Sequence, residues 1–263
     1  MVPDKQIYVP PTISAEAQQV LTALIEARLY ATEFPAMRPS PSGRWAGSPW
    51  KTSAHVATGL RIISVNYTPA PRAHFAEIQR QLVAVFDALM DAGYAMRDIA
   101  IYGESAGGAL AASTVLNLRD RGNGLPAAAL LWSPNTDLSG RDDSTVTLDP
   151  DDPVLTYSTL LVSGSRAYAG DVALDDPRVS PLYADLSRGF APTLIVVGTK
   201  EMLLSSSVRF YQALEAAGQS VKLDVYEGMW HVFPQYGLPE SRVAVEKSAK
   251  FNQRPPAPMN AQP

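Results

Sequence analysis

The chain has 263 residues, of which 46% are apolar and 18% are charged, and its formal net charge is −4. Such a chain can bury a sizeable core, which excludes global disorder, and the lack of a Lys/Arg cluster argues against nucleic acid as a partner. Without cysteine it has no disulfide, thiol nucleophile or thiolate metal site. No basic and apolar leader and no run of about 18 apolar residues is visible, so we expect a soluble, cytoplasmic protein that does not enter membranes.

The N-terminal part is predicted to be one helix followed by a loop. Ser14 can cap a helix in which Ala17, Leu21 and other apolar residues recur at helical spacing. This helix is either a lid over a pocket or a packed surface helix. Residues 35–50 are rich in Pro, Ser and Gly, which is typical of a loop.

Strands and helices then alternate along the chain. In order, we predict a short helix at 51–60, a strand at 61–67, a helix at 78–89, a strand at 99–102, a helix at 110–118, a strand at 127–132, a polar excursion at 133–153, a helix at 154–169, a strand at 193–198, a helix at 205–217, a strand at 221–226 and a helix at 238–250. Alternation of this kind predicts the α/β class, with a parallel sheet and helices on both of its faces.

A G-x-S-x-G sequence at residues 103–107 joins a predicted strand to a predicted helix. A serine at such a sharp turn has a strained backbone, and small neighbours, here Gly103 and Gly107, let the turn close. The N-terminal N–H groups of the following helix point at whatever Ser105 attacks. This context favours a nucleophile over a glycine-rich turn with an idle serine.

A serine nucleophile needs a base, and the chain has three histidines, His55, His74 and His231. Functional residues of an open parallel sheet gather at the carboxyl ends of its strands, where His231 is predicted to lie. His55 precedes a strand and so belongs at the other end. His74 follows a strand but has no nearby acid in a suitable order. We therefore predict that His231 takes the proton of Ser105 and later returns it.

The acid that orients the histidine has three candidates. Glu201 lies just past the strand at 193–198, gives the order Ser, Glu, His, and is the preferred acid. Asp137 also follows a strand, although an Asx turn or a helix cap would explain it equally. Glu227 is close to His231 in sequence but lies at the edge of a strand.

These motifs together resemble the bacterial hormone-sensitive-lipase family of α/β-hydrolase esterases. The matching segments are Gly103–Gly108, similar to a GDSAGG elbow with Glu104 in place of aspartate, Arg61–Pro71, similar to a strand that runs into a DYRLAPE turn, and Leu131–Leu138, Ser180–Asp185 and Tyr226–His231. Glu201 occupies the place of the family's acid, which is normally aspartate. The resemblance covers roughly residues 55–245.

The resemblance implies an α/β-hydrolase fold whose mostly parallel sheet is truncated, with a small helical N-terminal cap. We assign residues 1–50 to the cap helix and its loop, 51–251 to one catalytic domain and 252–263 to a flexible tail. The resemblance also implies that the protein hydrolyses short-chain acyl esters through an acyl-enzyme intermediate, with no metal or cofactor. We expect Trp230, Phe233, Tyr157 and Leu155 to line the substrate pocket.

The chain departs from the family at the oxyanion hole. The family carries an HGGG loop upstream of the elbow, and this sequence has no HGGG. The N–H of Ala106 remains as one donor. We predict that backbone N–H groups of the small-residue loop at Arg44, Trp45 and Ala46 supply the second.

Two alternatives to an esterase stay open, namely a degenerate hydrolase fold that binds a small ligand without turnover, and an amidase. Members of the family also have two or three strands before the one at 61–67, whereas only about sixty residues precede it here and none of them forms a convincing strand. The resemblance therefore implies that the strand at 61–67 lies at or near the sheet edge. An unprotected edge with Ile62, Ile63 and Val65 invites pairing, so we expect a homodimer.

Overall fold

The structure, a computed structural model, describes residues 8–30 and 61–252. Its helices and strands, in chain order, are α1 (Ala15–Tyr30), α2 (Phe75–Asp91), β1 (Ala100–Glu104), α3 (Ala106–Asp120), β2 (Ala128–Trp132), α4 (Asp143–Thr147), α5 (Val162–Ala169), β3 (Thr193–Gly198), α6 (Leu204–Ala216), β4 (Val221–Tyr226) and α7 (Pro239–Asn252). The predicted helix at 51–60 lies outside the described residues. The division of the chain at residues 50 and 251 stays a prediction.

The four described strands form one parallel sheet in the order β1-β2-β3-β4. The register places Tyr102 beside Leu130, Leu130 beside Leu194, and Leu194 beside Lys222. A helix lies between consecutive strands in the chain, as parallel connections require. The α/β prediction is therefore confirmed, and the carboxyl ends of all four strands lie along one edge.

Side chains of the central strands alternate between two buried faces. Leu130 and Trp132 of β2 pack with residues of α1 and α7, whereas Ala129 and Leu131 pack with residues of α3 and α6. Because both faces are covered, β2 and β3 are buried along their whole length. No helix in the described ranges is long and apolar enough to cross a membrane.

Residues 61–67 differ from the prediction, because the structure assigns no strand there. Ile62 and Ile63 are 38% and 49% exposed. Their β-branched side chains favour extended backbone, but a strand also needs a neighbour for its N–H and C=O groups. No strand among residues 8–30 and 61–252 pairs with this segment. The predicted strand at 61–67, and with it the predicted edge, is wrong for the described chain.

Helix α1 is packed onto the rest of the molecule. The Ser14 hydroxyl accepts the N–H of Ala17 at 3.1 Å, which confirms the predicted cap. The N–H and hydroxyl of Ser14 donate to the two carboxylate oxygens of Glu240 at 2.7 and 2.9 Å. Ala17 and Leu21 are fully buried in the same core cluster as Trp230. Helix α1 is thus a packed helix, and whether it also covers a pocket stays a prediction.

Candidate active site

Ser105 lies directly between β1 and α3 and has a backbone conformation that side chains rarely adopt, with φ 53° and ψ −124°. A Cβ added at Gly103 would overlap the carbonyl of Gly107, and one added at Gly108 would lie 2.8 Å from the Cβ of Pro134. Among the described residues outside its own helical turn, no atom lies within 4 Å of a Cβ added at Gly107. The turn therefore needs Gly103 and Gly108 for space, and the expectation for Gly107 is corrected.

The backbone of Ser105 is fixed to the loop that follows β2. Its N–H donates to the carbonyl of Trp132 at 2.9 Å, and its own carbonyl accepts the N–H of Asn135 at 3.1 Å. Ala106 is the first residue of α3, so its N–H has no partner within the helix, and the residue is exposed. A backbone donor that the helix does not use therefore belongs to the residue next to Ser105.

His231 and Glu201 form a buried pair. The Nδ1 atom of His231 lies 2.9 Å from Oε2 of Glu201, and the two residues are 5% and 0% exposed. The other oxygen, Oε1, accepts the N–H of Gly198 at 2.7 Å and the hydroxyl of Ser133 at 2.9 Å. Both oxygens of the carboxylate are thus hydrogen-bonded, as a buried charge requires. The arrangement holds the imidazole in one orientation.

The loop after β4 carries His231 back across the ends of the other strands. Above β3, the carbonyl of Met229 accepts the N–H of Lys200 at 2.9 Å. At the end of β2, the N–H of Val232 donates to the hydroxyl of Ser133 at 3.1 Å. His231 lies between these two contacts in the chain.

The same loop reaches the end of β1. The side-chain amide of Gln235 donates to the carboxylate of Glu104, the residue before Ser105. The Tyr102 hydroxyl donates to the same oxygen at 2.8 Å. The crossing brings His231 to the strand end that carries Ser105. Across the residues that the structure describes, no hydrogen bond joins the Ser105 hydroxyl to His231, and such bonds are often long without substrate.

Backbone strain is concentrated at this site. Within the described chain, the non-glycine residues with positive φ are Ser105, Ser133 and Val232, at 53°, 46° and 54°. All three lie at the carboxyl end of the sheet or in the loop of His231. Strain of this kind persists where the surroundings fix it and is common at active sites.

Asp137 does not contact the imidazole. Its carboxylate is buried and accepts the N–H of Ser139 at 2.8 Å, the hydroxyl of Tyr183 at 2.8 Å and a guanidinium N–H of Arg209 at 2.6 Å. Burial alone would raise its pKa, but these hydrogen bonds hold the pKa below its ordinary value. Asp137 is therefore a charged partner of Arg209.

The remaining candidates lie elsewhere. Glu227 is exposed. His74 is also exposed, and its Nδ1 lies 2.9 Å from the carbonyl oxygen of Ala167. His55 is outside the described residues. Of the two histidines in the described part of the chain, His231 is the one hydrogen-bonded to a carboxylate.

The pocket residues predicted from sequence are mostly core. Trp230 and Phe233 are fully buried, and Leu155 is 4% exposed. Tyr157 is half-buried. Because the loop after β4 folds beneath α1, its aromatic side chains contact that helix and the sheet. That Trp230, Phe233, Leu155 and Tyr157 line the substrate pocket stays a prediction. The oxyanion residues Arg44, Trp45 and Ala46 lie outside the described residues.

Ser133 is a site residue that the sequence analysis missed. Its hydroxyl joins the acid at Glu201 to the backbone at Val232. The available signal was its position, because Ser133 directly follows a buried strand and precedes a proline.

Comparison with known proteins agrees with this geometry. A protein family described as having the alpha/beta hydrolase fold matches residues 45–235. An esterase of Acinetobacter venetianus is 34% identical over 196 residues, which are 74% of this chain and 64% of the relative. An acetyl-hydrolase of Streptomyces hygroscopicus is 33% identical over 200 residues, which are 74% of this chain and 65% of the relative. The chain thus spans a little under two thirds of these relatives.

Solved structures give the same assignment. An esterase from the bacterial hormone-sensitive lipase family is 33% identical and superposes with a TM-score of 0.73, covering 76% of this chain and 67% of that one. A hormone-sensitive lipase from a metagenome library has a TM-score of 0.74 at 33% identity, covering 78% of this chain and 72% of that one. The chain therefore belongs to the α/β-hydrolase fold family and, within it, is similar to the bacterial hormone-sensitive-lipase esterases.

Proposed function

We propose that this protein hydrolyses carboxylic esters through an acyl-enzyme intermediate, with Ser105 as nucleophile, His231 as base and then acid, and Glu201 as the group that orients His231. The observation that carries the proposal is the buried hydrogen bond of 2.9 Å between His231 and Glu201, on a loop that crosses to the strand end of Ser105. Esterase and acetyl-hydrolase relatives support the same chemistry.

The reaction proceeds in two halves. The Ser105 oxygen attacks the ester carbonyl while His231 takes its proton at Nε2, the nitrogen that does not contact Glu201. When the tetrahedral intermediate collapses, the bond to the alcohol oxygen breaks and His231 gives that oxygen the proton. A water molecule then attacks the acyl group on Ser105 by the same proton transfers, which releases the acid and restores the serine. No metal or cofactor enters either half.

The negative charge on the substrate oxygen needs donors during both attacks. Ala106 supplies one N–H at the start of α3, where the helix dipole also favours an anion. The second donor is proposed to come from the backbone of Arg44, Trp45 or Ala46. A donor there must lie about 3 Å from the oxyanion, so it would be absent if those N–H groups were over about 6 Å from Ser105.

Short acyl chains are the proposed substrates. This preference is supported by the acetyl-hydrolase relative and by the resemblance to the hormone-sensitive-lipase family. The test compares 4-nitrophenyl acetate, butyrate and dodecanoate. We expect the highest kcat/KM with the two short esters, and a maximum at dodecanoate would contradict the preference.

The reaction class is tested by comparing wild type with Ser105→Ala on 4-nitrophenyl butyrate. We expect a loss of kcat on the order of 10⁴-fold or more, since the nucleophile is removed. Equal rates in the two proteins would overturn the proposal. Ser113→Ala is the matched control, because this buried hydroxyl on α3 has no hydrogen-bond partner among the residues that the structure describes and lies eight residues past Ser105.

The two alternatives, an amidase and a binding module without turnover, are tested with the same two proteins, wild type and Ser105→Ala. An amidase would hydrolyse 4-nitroacetanilide with a kcat/KM comparable to that for the acetate ester, whereas a weakened oxyanion hole suits the easier ester. A binding module would hold a short ester without Ser105-dependent turnover.

We also propose that two copies of the chain associate. Support comes from exposed apolar side chains, Ile62 at 38% and Ile63 at 49% in the segment before α2, and Val225 at 46% on β4. In the described part of the chain, β1 and β4 each pair on one side only. Light scattering after size exclusion should give twice the chain mass, and a monomer at high concentration would contradict it. Location in the cytoplasm stays a prediction.

A further inference from the structure

Asp152 is a buried carboxylate that the proposed reaction does not yet use. It is 0% exposed and lies in the polar excursion that follows β2. Its Oδ1 accepts the N–H groups of Val154 and Leu155, both at 2.8 Å. Its Oδ2 accepts the N–H of Met202 at 2.9 Å. Since Met202 directly follows Glu201, Asp152 is bound to the turn that carries the acid.

A second residue of the excursion holds the same turn from its other side. The Ser144 hydroxyl donates to the carbonyl of Met202 at 2.6 Å and accepts the N–H of Ser205 at 2.8 Å. Both the N–H and the carbonyl of Met202 are therefore held by side chains outside the turn, and Met202 itself is fully buried. The position of Glu201 depends on these two contacts.

Asp152 and the imidazole of His231 are within electrostatic range of each other. Burial raises the pKa of Asp152, and a positive charge on His231 lowers it, together with the three N–H donors. Of the other titratable groups, Glu201 is hydrogen-bonded to His231, and Tyr236 interacts electrostatically with Asp152. Burial raises the pKa of Tyr236 and the negative charge of Asp152 adds to this, so Tyr236 stays neutral where an esterase is assayed.

We propose that Asp152 is a positioning residue for the Glu201–His231 pair: it fixes the turn of Glu201 through Met202 and places a second negative charge near the imidazole. The inference rests on the proposed esterase function. When His231 takes the serine proton, Glu201 stabilises the cation by direct contact and Asp152 stabilises it through space.

The experiment measures kcat/KM against pH for wild type and Asp152→Asn with 4-nitrophenyl butyrate. Asparagine has one side-chain oxygen, which can stay with the N–H groups of Val154 and Leu155 only if its NH2 group replaces the oxygen that accepts the Met202 N–H. The Met202 N–H then loses its partner, and we expect kcat to fall roughly 10–100-fold. Because a negative charge near the imidazole is removed, we also expect the acid limb of the profile to move to lower pH by about half a unit or more.

Two further variants separate the roles of contact and charge. Ser144→Ala loosens the same turn without changing charge, so its kcat should fall while its acid limb stays in place. Asp149→Asn is the matched control, because Asp149 is a carboxylate of the same excursion that accepts the N–H of Tyr157 at 2.9 Å. It should keep the kcat and acid limb of wild type.

The outcomes are distinguishable. An acid limb in Asp152→Asn that coincides with that of Asp149→Asn overturns the proposal, even if kcat falls. If Asp152→Asn is not recovered folded by circular dichroism, a wild-type kcat in Ser144→Ala overturns it. Failure of wild type itself to hydrolyse the ester would instead count against the proposed function, because the role of Asp152 is tested only by comparing variants with an active wild type.

Discussion

The Nδ1 atom of His231 lies 2.9 Å from Oε2 of Glu201, although 30 residues separate them in the chain. The contact exists because the loop after β4 turns back over the end of β3, where Glu201 is held by Gly198 and Ser133. It leaves Nε2 of the imidazole free of the acid, so this nitrogen is the one that can exchange a proton with Ser105.

Replacing the acid should separate Glu201 from its nearest competitor. Glu201→Gln keeps the size of the side chain but removes the charge that stabilises the protonated imidazole. We expect kcat for a short ester to fall about 10³–10⁴-fold. Steady-state kinetics at neutral pH is the measurement.

The matched control for that change is Asp137→Asn. Its carboxylate contacts Arg209 at 2.6 Å and has no contact with the imidazole, so we expect a lower melting temperature and a kcat within a few-fold of wild type. The reverse pattern, with kcat lost in Asp137→Asn and kept in Glu201→Gln, would make Asp137 the acid.

Ser133→Ala should weaken the site without touching the pair itself. The change removes a hydrogen bond to Glu201 and leaves the buried N–H of Val232 without its acceptor. We expect the free energy of unfolding to fall by about 1–3 kcal/mol and kcat to fall roughly tenfold. Urea unfolding and ester hydrolysis measure the two effects. A variant with unchanged stability would show that Ser133 does not link the two segments.

The two glycines of the elbow should respond differently to alanine. At Gly103 a methyl group would overlap the carbonyl of Gly107, whereas at Gly107 it would meet no atom of the described residues outside its own helical turn. We expect Gly103→Ala to lower the free energy of unfolding by more than about 3 kcal/mol, or to prevent folding, and Gly107→Ala to change it by less than about 1 kcal/mol. Thermal unfolding of the two variants is the measurement. Similar losses of stability in both would contradict the backbone described for the turn.

Asp142 should make stability depend on pH. Burial, and then the negative charge of Asp137, raise its pKa from 3.8 to about 6 despite its bond to Arg209. Between those values the folded protein holds a proton that the unfolded chain has released, so stability falls as pH rises from about 4 to about 6. Above about 6 the carboxyl is ionised in both states.

The measurement is the free energy of unfolding of wild type minus that of Asp142→Asn, at several pH values. The difference should decrease by on the order of 2–3 kcal/mol across that window and then level off. A difference that rises with pH would mean that Arg209 lowers the pKa of Asp142 instead.

The last two strands of the described sheet could be predicted closely from the sequence. Strands β3 (Thr193–Gly198) and β4 (Val221–Tyr226) have the predicted bounds, since each is an apolar or alternating run that ends at turn residues. The segment at 61–67 has the same kind of pattern but lacks a strand neighbour in the described chain. Composition measures the tendency to be extended, whereas pairing depends on residues that are distant in the sequence.

At the site, sequence order identified the groups that approach the strand ends but not what surrounds them. Ser105, Glu201 and His231 each follow a strand, so their common edge could be predicted. Trp230 follows β4, as His231 does, but its side chain is buried beneath α1, because the direction of a loop side chain depends on packing. Asp152 lies in an acidic, polar segment whose composition is typical of an exposed loop, and its buried carboxylate has one donor, the N–H of Met202, that is distant in the sequence.

The most direct test of the account is to identify the residue that becomes acylated or phosphylated. Wild type and Ser105→Ala are incubated with diethyl 4-nitrophenyl phosphate, which releases 4-nitrophenol when a nucleophilic serine attacks it, and the peptides are then mapped by mass spectrometry. We predict that wild type gains one diethylphosphoryl group on the peptide that contains Ser105, in step with loss of ester hydrolysis, and that Ser105→Ala gains none. A label on another residue that accompanies the loss of activity, or full inhibition with Ser105 unlabelled, would contradict the account.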